Sequence, residues 1–206
     1  MRTKHHRIYL ASQSPRRREL LKQIGVNCEV LLLRNDPRRS VHVDETPHAG
    51  EDPVEYVQRV CRDKALAGWD TLKFRNLPLH PVLAADTTVT LDGKIIGKPD
   101  SKEHAAEILR MLSGTQHHVL TAVAIACKDR FEMRLSDTTI TFDTLSEERI
   151  SRYLLTNEAN DKAGAYGIQG YAGVFVKHIN GSYTGVMGLP LFETVELLKI
   201  FGYPAP

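Results

Sequence analysis

The sequence has little of several features that would announce a partner or a compartment. It carries only three cysteines in 206 residues, Cys28, Cys61 and Cys127, an odd number, far apart and without the close spacing of zinc or redox pairs. No disulfide framework is expected, and a reducing cytoplasm is the simplest reading. It has no long hydrophobic run: the longest nearly apolar stretch, Val119 to Cys127, is less than half of the roughly 20 residues a spanning helix needs and reads as a buried strand. The opening segment, Met1 to Tyr9, is basic but leads into only a short apolar run, unlike the h-region of a secretory signal. It also lacks a charge excess, with 27 Lys and Arg against 25 Asp and Glu. No global basic field points to nucleic acid or a membrane surface, so any anion site must be local. There is no fixed-period repeat and no low-complexity linker.

What is present is ordinary globular composition, 42% hydrophobic and 25% charged, in a chain long enough to bury a core without metal or disulfide staples. Ile8 to Ala11 reads as a strand opening onto Ser14-Pro15, followed by a helix whose Leu20, Leu21 and Ile24 share one face and which stops at Gly25. Cys28 to Leu33 reads as a second strand, and Arg34 to Gly50 as a loop over a cleft. Asp52-Pro53-Val54-Glu55 starts a helix expected to run to about Gly68. Pro81 to Ala85 is an apolar strand, and Thr88 to Leu91 with Lys94 to Gly97 form a hairpin around Asp92-Gly93. Asp100 to Gly114 is the next helix, capped by Asp100 with Glu103. Strands at Val119 to Cys127 and Thr138 to Phe142 lead to a helix at Glu147 to Leu155 capped by Thr144. Half of the 14 glycines fall between Gly164 and Gly188, read as twisted strands and tight turns lining a site. A last amphipathic helix begins near Pro190 and uses Val195, Leu198 and Phe201. Strands and helices alternate throughout, so the class is α/β or α+β with a mixed sheet, and two lobes around a cleft are expected within one domain spanning 1–206.

Four local patterns suggest chemistry. Ser12-Gln13-Ser14-Pro15-Arg16-Arg17 sits between a strand and a helix N-terminus, where free N–H groups and the helix dipole favour an anion that the arginines can grip. A capped helix with solvated arginines is the plainer alternative, but cations at a helix N-terminus oppose its dipole. Lys64 lies seven residues after Val57 on the apolar stripe of its helix and so faces inward, as a snorkelling lysine or as a partner for buried phosphate. Asp86 ends an apolar strand before Thr87 and Thr88, with Lys98-Pro99 across the hairpin. Strict pairing would set Thr87 opposite Lys98 and send Asp86 and Lys98 to opposite faces, so a bend must intervene if they act together. Alternatively they are a turn-capping aspartate and an edge lysine. Asp161 to Gly170 brings glycines that allow close backbone approach and Gln169, which can both donate to and accept from a base edge. The paired histidines, His5-His6 and His117-His118, lack helical metal-ligand spacing and read as surface or structural.

Taken in order, Ser12-x-Ser14-Pro15-Arg16-Arg17-x-Glu19-Leu20-Leu21, Ala85-Asp86-Thr87, Gly97-Lys98-Pro99, Asp161 to Gly170 and Gly188-Leu189-Pro190 resemble the Maf family over nearly the whole chain. The resemblance implies a house-cleaning nucleoside triphosphate pyrophosphatase dependent on Mg²⁺ or Mn²⁺, with an elongated mixed sheet flanked by helices and a central cleft. It implies catalytic roles for Glu45, Lys64, Asp86 and Lys98, with Glu45 and Asp86 as metal ligands, and substrate contacts from Ser12, Arg16, Arg17, Thr87 and Gln169. Glu45 lies in Glu45-Thr46-Pro47, similar to the family's acidic-x-Pro element, although the preceding loop, Arg34 to Val43, is longer than in many relatives. Arg17, Thr87 and Gln169 together are similar to the branch acting on dTTP and UTP. A homodimer is compatible with the resemblance. The rival reading is a nucleotide-binding regulator of cell division, using the same pocket without turnover.

Overall fold

A computed structural model describes residues 7–33 and 43–204; residues 34–42 of the expected Arg34 to Gly50 loop and the His5-His6 pair lie outside the described residues. The chain opens with β1 (Ile8–Leu10), α1 (Pro15–Gln23) and β2 (Cys28–Val30), then α2 (Pro53–Phe74), β3 (Val82–Leu91) and β4 (Lys94–Ile96). It continues through α3 (Lys102–Leu112), β5 (Gln116–Cys127), β6 (Arg130–Phe142) and α4 (Glu147–Leu154). After short 3-10 turns at Ala163–Ala165 and Tyr171–Phe175 come β7 (Val176–Asn180), α5 (Tyr183–Val186) and α6 (Leu191–Ile200). The strands form one mixed, open sheet in the order β2-β1-β3-β5-β6-β7, with β4 added to β3. β1 is parallel to β2 and β3, and the other pairs are antiparallel. The architecture is therefore α/β with a mixed sheet. Among the described residues no helix is long and apolar enough to cross a membrane.

β3 carries the organisation of the core. Its first half is buried on both faces, which is why Val82 to Ala85 reads as an unbroken apolar run. Val82 and Ala84 pack toward α2 with Val57, Cys61, Ala65 and Trp69. Leu83 and Ala85 face Leu20, Leu21, Leu197 and Leu198 of α1 and α6. Its far end enters a third cluster, where Val89 packs with Leu109 and Leu112 of α3, Tyr153 of α4, Phe142 and Phe175. Asp86 stands between these clusters, 7% exposed.

The pairing of β3 is uninterrupted on one edge only. There β5 pairs from Val82↔Ala126 to Thr90↔His118. On the other edge β1 pairs at Val82 and Leu83 and β4 resumes at Val89, leaving Ala84 to Thr88 without a strand neighbour among the described residues. The Asp92-Gly93 turn has positive φ at both residues, 51° and 72°, as a two-residue hairpin turn demands. Pairing stops at Val89↔Ile96, and the next residue, Gly97, joins the opposite wall, its carbonyl accepting from Gly164 N at 3.1 Å. This supplies the bend that strict alternation required, and it takes Lys98 out of the ladder.

Several boundaries differ from expectation. α2 does not end at Gly68 but continues to Phe74. Gly68 is there for proximity: a Cβ on it would lie 2.6 Å from Val82 Cγ1 and 3.2 Å from the Ala11 Cβ. The caps of α3 and α4 are Ser101 and Ser146, whose hydroxyls accept from His104 N and Arg149 N, rather than Asp100 and Thr144. A hydroxyl in the position next to the first helical residue reaches the third N–H directly. β2 ends at Val30 rather than Leu33. β6 begins at Arg130, eight residues before the expected strand. The glycine-rich stretch is mostly 3-10 turns and one short helix, with β7 as its strand; there consecutive tight turns outrank the β-propensity of Val174 and Phe175. α6 begins as expected after Pro190, but Thr194, Leu197 and Leu198 are its buried residues.

Candidate active site

The gap on β3 opens into a cavity of about 700 Å³, within the size range of small-molecule sites. Ser14, at the N-cap position of α1, lines it and makes no side-chain cap bond. Ser12 Oγ instead accepts from Ser14 N at 3.2 Å, so the expected N-cap position is correct but the hydroxyl doing local work belongs to Ser12. The first-turn N–H groups of α1 are thus free of a side-chain acceptor, the arrangement that receives an anion.

Arg17 is fixed by three elements at once. Its Nε donates to the Gly188 carbonyl at 2.7 Å, Nη1 to Ser12 Oγ at 3.2 Å and Nη2 to Thr87 Oγ1 at 3.2 Å. A guanidinium has five N–H groups, so two remain for a ligand. Burial lowers its pKa and the nearby Asp86 carboxylate opposes that shift; an arginine still keeps its charge. Thr87 Oγ1 also meets Thr121 Oγ1 at 3.1 Å, and Thr121 donates to the Gly185 carbonyl at 2.8 Å. Thr87 Oγ1 is thus held between the Arg17 guanidinium and the Thr121 hydroxyl. Arg16 lines the cavity beside Arg17.

α2 supplies the next group. Val57, Val60 and Cys61 are fully buried, and Lys64, on the same face, places Nζ 2.8 Å from Asp86 Oδ1 and 2.8 Å from Glu45 Oε2. Two carboxylates thus converge on one cation at the rim of the gap. Glu45 is the more open, its side chain 53% exposed against 11% for Asp86. Tyr56, two turns before Lys64, lines the cavity and donates its hydroxyl to the Glu45 carbonyl at 2.9 Å. Burial, with the Asp86 and Glu45 charges, pushes the Tyr56 phenol up to about 12. Cys61, close behind, has its thiol pushed up to about 12 by burial and then by Asp86, which makes it an inert packing residue rather than a nucleophile.

The opposite wall is the turn-rich segment. Gly164, at φ +71°, lies so close to Val89 that a Cβ would come within 2.9 Å of its Cγ2. Lys162 donates to Asp161 Oδ1 at 2.6 Å and to the Glu158 carbonyl at 2.7 Å. The Glu158 carboxylate accepts from Tyr171 N at 3.0 Å, against Gly170, where a Cβ would displace that carboxylate. The turn between them leaves Ile168 and Gln169 on the cavity wall. Tyr166 is held from behind by His117 Nε2 at 2.8 Å. His117 is fully buried and His118 pairs at the surface with Asp137, the structural and surface roles expected of that pair.

The structure therefore gathers Arg16, Arg17, Glu45, Lys64, Asp86, Thr87, Lys98 and Gln169 around one cavity. Ser12 stands behind Arg17 rather than on the lining. Sequence reasoning missed Tyr56 and Glu158 as parts of the wall and gave Lys162, inside the Asp161 to Gly170 motif, no role. Tyr56 was detectable, since positions 56, 60 and 64 fall on one helical face. Among the described residues no group of three or more His, Cys, Asp or Glu side chains could hold a metal unaided. Two carboxylates meeting at one positive centre do suit a hard divalent cation whose remaining ligands come from substrate phosphates and water.

The model of the Maf-like protein family matches residues 7–201. The dTTP/UTP pyrophosphatase of Aromatoleum aromaticum is 55% identical over 199 residues, covering 96% of this chain and 97% of its own. That of Dechloromonas aromatica is 54% identical over 197 residues, with 96% and 98% covered. That of Chromobacterium violaceum is 49% identical over 206 residues, with both chains covered completely.

Proposed function

This chain belongs to the Maf-like protein family, and we propose that its cleft hydrolyses dTTP and UTP to the nucleoside monophosphate and pyrophosphate. One observation carries the reading: Lys64 holds the carboxylates of Asp86 and Glu45 within 2.8 Å of its ammonium, in a cavity that also holds Arg16, Arg17 and the α1 N-terminus. Acids and bases so arranged fit a polyphosphate with its counter-cation better than either alone. Gln169 and the apolar Val89, Ile95, Ile168 and Met187 line the same cavity and offer a pyrimidine a flat surface and a base-edge partner. Two lobes of one domain flank the cleft in this reading, and the three free cysteines suit a cytoplasmic setting.

In the reaction, a water oxygen bonds to the α-phosphorus and the bond to the bridging oxygen of the β-phosphate breaks, so that pyrophosphate leaves. Lys64 occupies Oδ1 of Asp86, leaving Oδ2 to accept the proton of the attacking water. Arg16, Arg17, Lys64 and Lys98 neutralise the charge that gathers on the departing pyrophosphate. As the alternative to that base role, Asp86 would join Glu45 in holding Mg²⁺ or Mn²⁺, which would supply Lewis-acid polarisation of the phosphates. A panel of common and modified nucleoside triphosphates, with saturating metal, tests the proposal: dTTP and UTP release monophosphate and pyrophosphate in equal amounts. Tight binding with every triphosphate left intact would sink it in favour of a nucleotide-binding module.

A further inference from the structure

Glu45 is carried by residues 43–50, a segment with no helix or strand, and its side chain is half exposed. Packing cannot set its position. Three consecutive carbonyls of that segment, those of Asp44, Glu45 and Thr46, instead accept from side chains of α2. Arg59 Nη1 donates to the Asp44 carbonyl at 2.9 Å and Nη2 to the Thr46 carbonyl at 3.0 Å, while Tyr56 takes the carbonyl between them.

The same guanidinium closes a fork on Glu51, Nε to Oε1 at 2.6 Å and Nη2 to Oε2 at 2.8 Å. Glu51 Oε2 in turn accepts from His48 N at 2.9 Å, so both ends of the segment hang on Arg59. Four of its five N–H groups are used, in the planar geometry a lysine cannot copy. The fork holds the Glu51 carboxyl far down, at about 2, so it remains intact through the neutral range. Arg59 is not on the cavity wall. Its helix also carries Lys64, so one rigid element fixes both the segment bearing Glu45 and the ammonium that Glu45 meets.

We infer that Arg59 is a positioning residue for Glu45, a clamp that holds an otherwise irregular segment at the distance the reaction needs. The inference rests on the proposed pyrophosphatase reading for its kinetic consequence, though not for its structural one. A displacement of about 1 Å at a reacting group costs on the order of 100-fold, and that sets the scale of the expected loss.

The test uses the full chain as wild type, Arg59→Ala, Arg59→Lys, Glu45→Ala and the Arg59→Ala/Glu45→Ala double variant. Both Arg59 variants lower kcat for dTTP by about 10- to 100-fold, with KM within a few-fold. In the Glu45→Ala background the further loss on removing Arg59 shrinks to less than about 3-fold, because the clamp then has nothing to position. Amide hydrogen exchange without nucleotide reads the clamp independently: exchange rises at residues 44–51 in both Arg59 variants while α2 keeps its protection. An equal loss with and without Glu45, or unchanged exchange at 44–51, overturns the inference. If the wild type itself releases no pyrophosphate, the functional reading fails and the exchange measurement alone decides the clamp. Should Arg59→Ala fail to fold, Arg59→Lys, which keeps the charge and stem, carries both readouts.

Discussion

Arg17 and Gly188 are 171 positions apart in sequence and joined by a 2.7 Å hydrogen bond from the guanidinium Nε to the glycine carbonyl. The bond ties the start of α1 to the approach of α6. With the contacts to Ser12 and Thr87 it makes one side chain the meeting point of three segments. Gly188 holds φ +108° there, a conformation that residues with a Cβ rarely adopt.

Arg17→Lys therefore removes more than a shade of charge geometry. A point ammonium cannot reach all three acceptors, and each buried acceptor left bare costs about 1–3 kcal/mol. The variant is expected to unfold several degrees earlier in a thermal melt and to raise KM for dTTP at least tenfold. A variant with wild-type KM would show that Arg17 holds the fold and not the phosphates.

Asp86→Asn keeps the size of the side chain and an oxygen for Lys64 but removes the proton acceptor. Turnover is expected to fall by about 10²- to 10⁴-fold with far-UV circular dichroism unchanged. Pyrophosphate release within tenfold of wild type would place the proton elsewhere.

Gly68→Ala tests the contact between α2 and the sheet. Alanine gains up to about 1 kcal/mol of helix preference over glycine, but its Cβ would sit 2.6 Å from Val82 Cγ1. Overpacking of a tight core costs about 1–3 kcal/mol, so the net effect is destabilising. A denaturant midpoint equal to or above that of wild type contradicts it.

His117 gives stability a pH dependence of known sign. Burial holds its imidazole down at about 4, whereas the unfolded chain takes up that proton near 6.5. The neutral ring's contribution is fully present above pH 6.5 and is lost as pH falls toward 4, by at most about 1.4 kcal/mol per pH unit. His117→Phe retains a ring against Phe142 and Tyr166 without the titration. Its stability deficit relative to wild type should narrow between pH 7 and pH 4.5, and a constant deficit in urea melts over that range refutes the assignment.

Much of this arrangement was legible in the chain itself. The inward aim of Lys64 followed from its spacing to Val57 on a 3.6-residue helix, and the anion-receiving turn from Ser14-Pro15 before a helical pattern. The need for a bend between Asp86 and Lys98 followed from strand alternation alone. The first half of β6 was also written plainly, since Phe131, Met133 and Leu135 alternate with Arg130, Glu132 and Arg134 and all three pack toward α2. It was overlooked because every second residue is charged. Other features depend on contacts between distant segments and leave no local mark. Nothing near Gly68 says that a sheet will press against it, and nothing in Gly97 predicts that its carbonyl will turn to Gly164. Arg59 looks like any exposed helix arginine until the segment from Asp44 to Glu51 folds over it.

The missing neighbour beside Ala84 to Thr88 has a last consequence. Had the β3–β4 hairpin zipped two steps further, Thr88 would face Gly97 and Thr87 would face Lys98, and the sheet would be more regular. The backbone bonds gained would be made where the cavity now stands. Regularity and vacancy compete here for the same stretch of main chain, and with Gly97 joined to Gly164 rather than laid along Thr88 the place where a ligand would enter stays open.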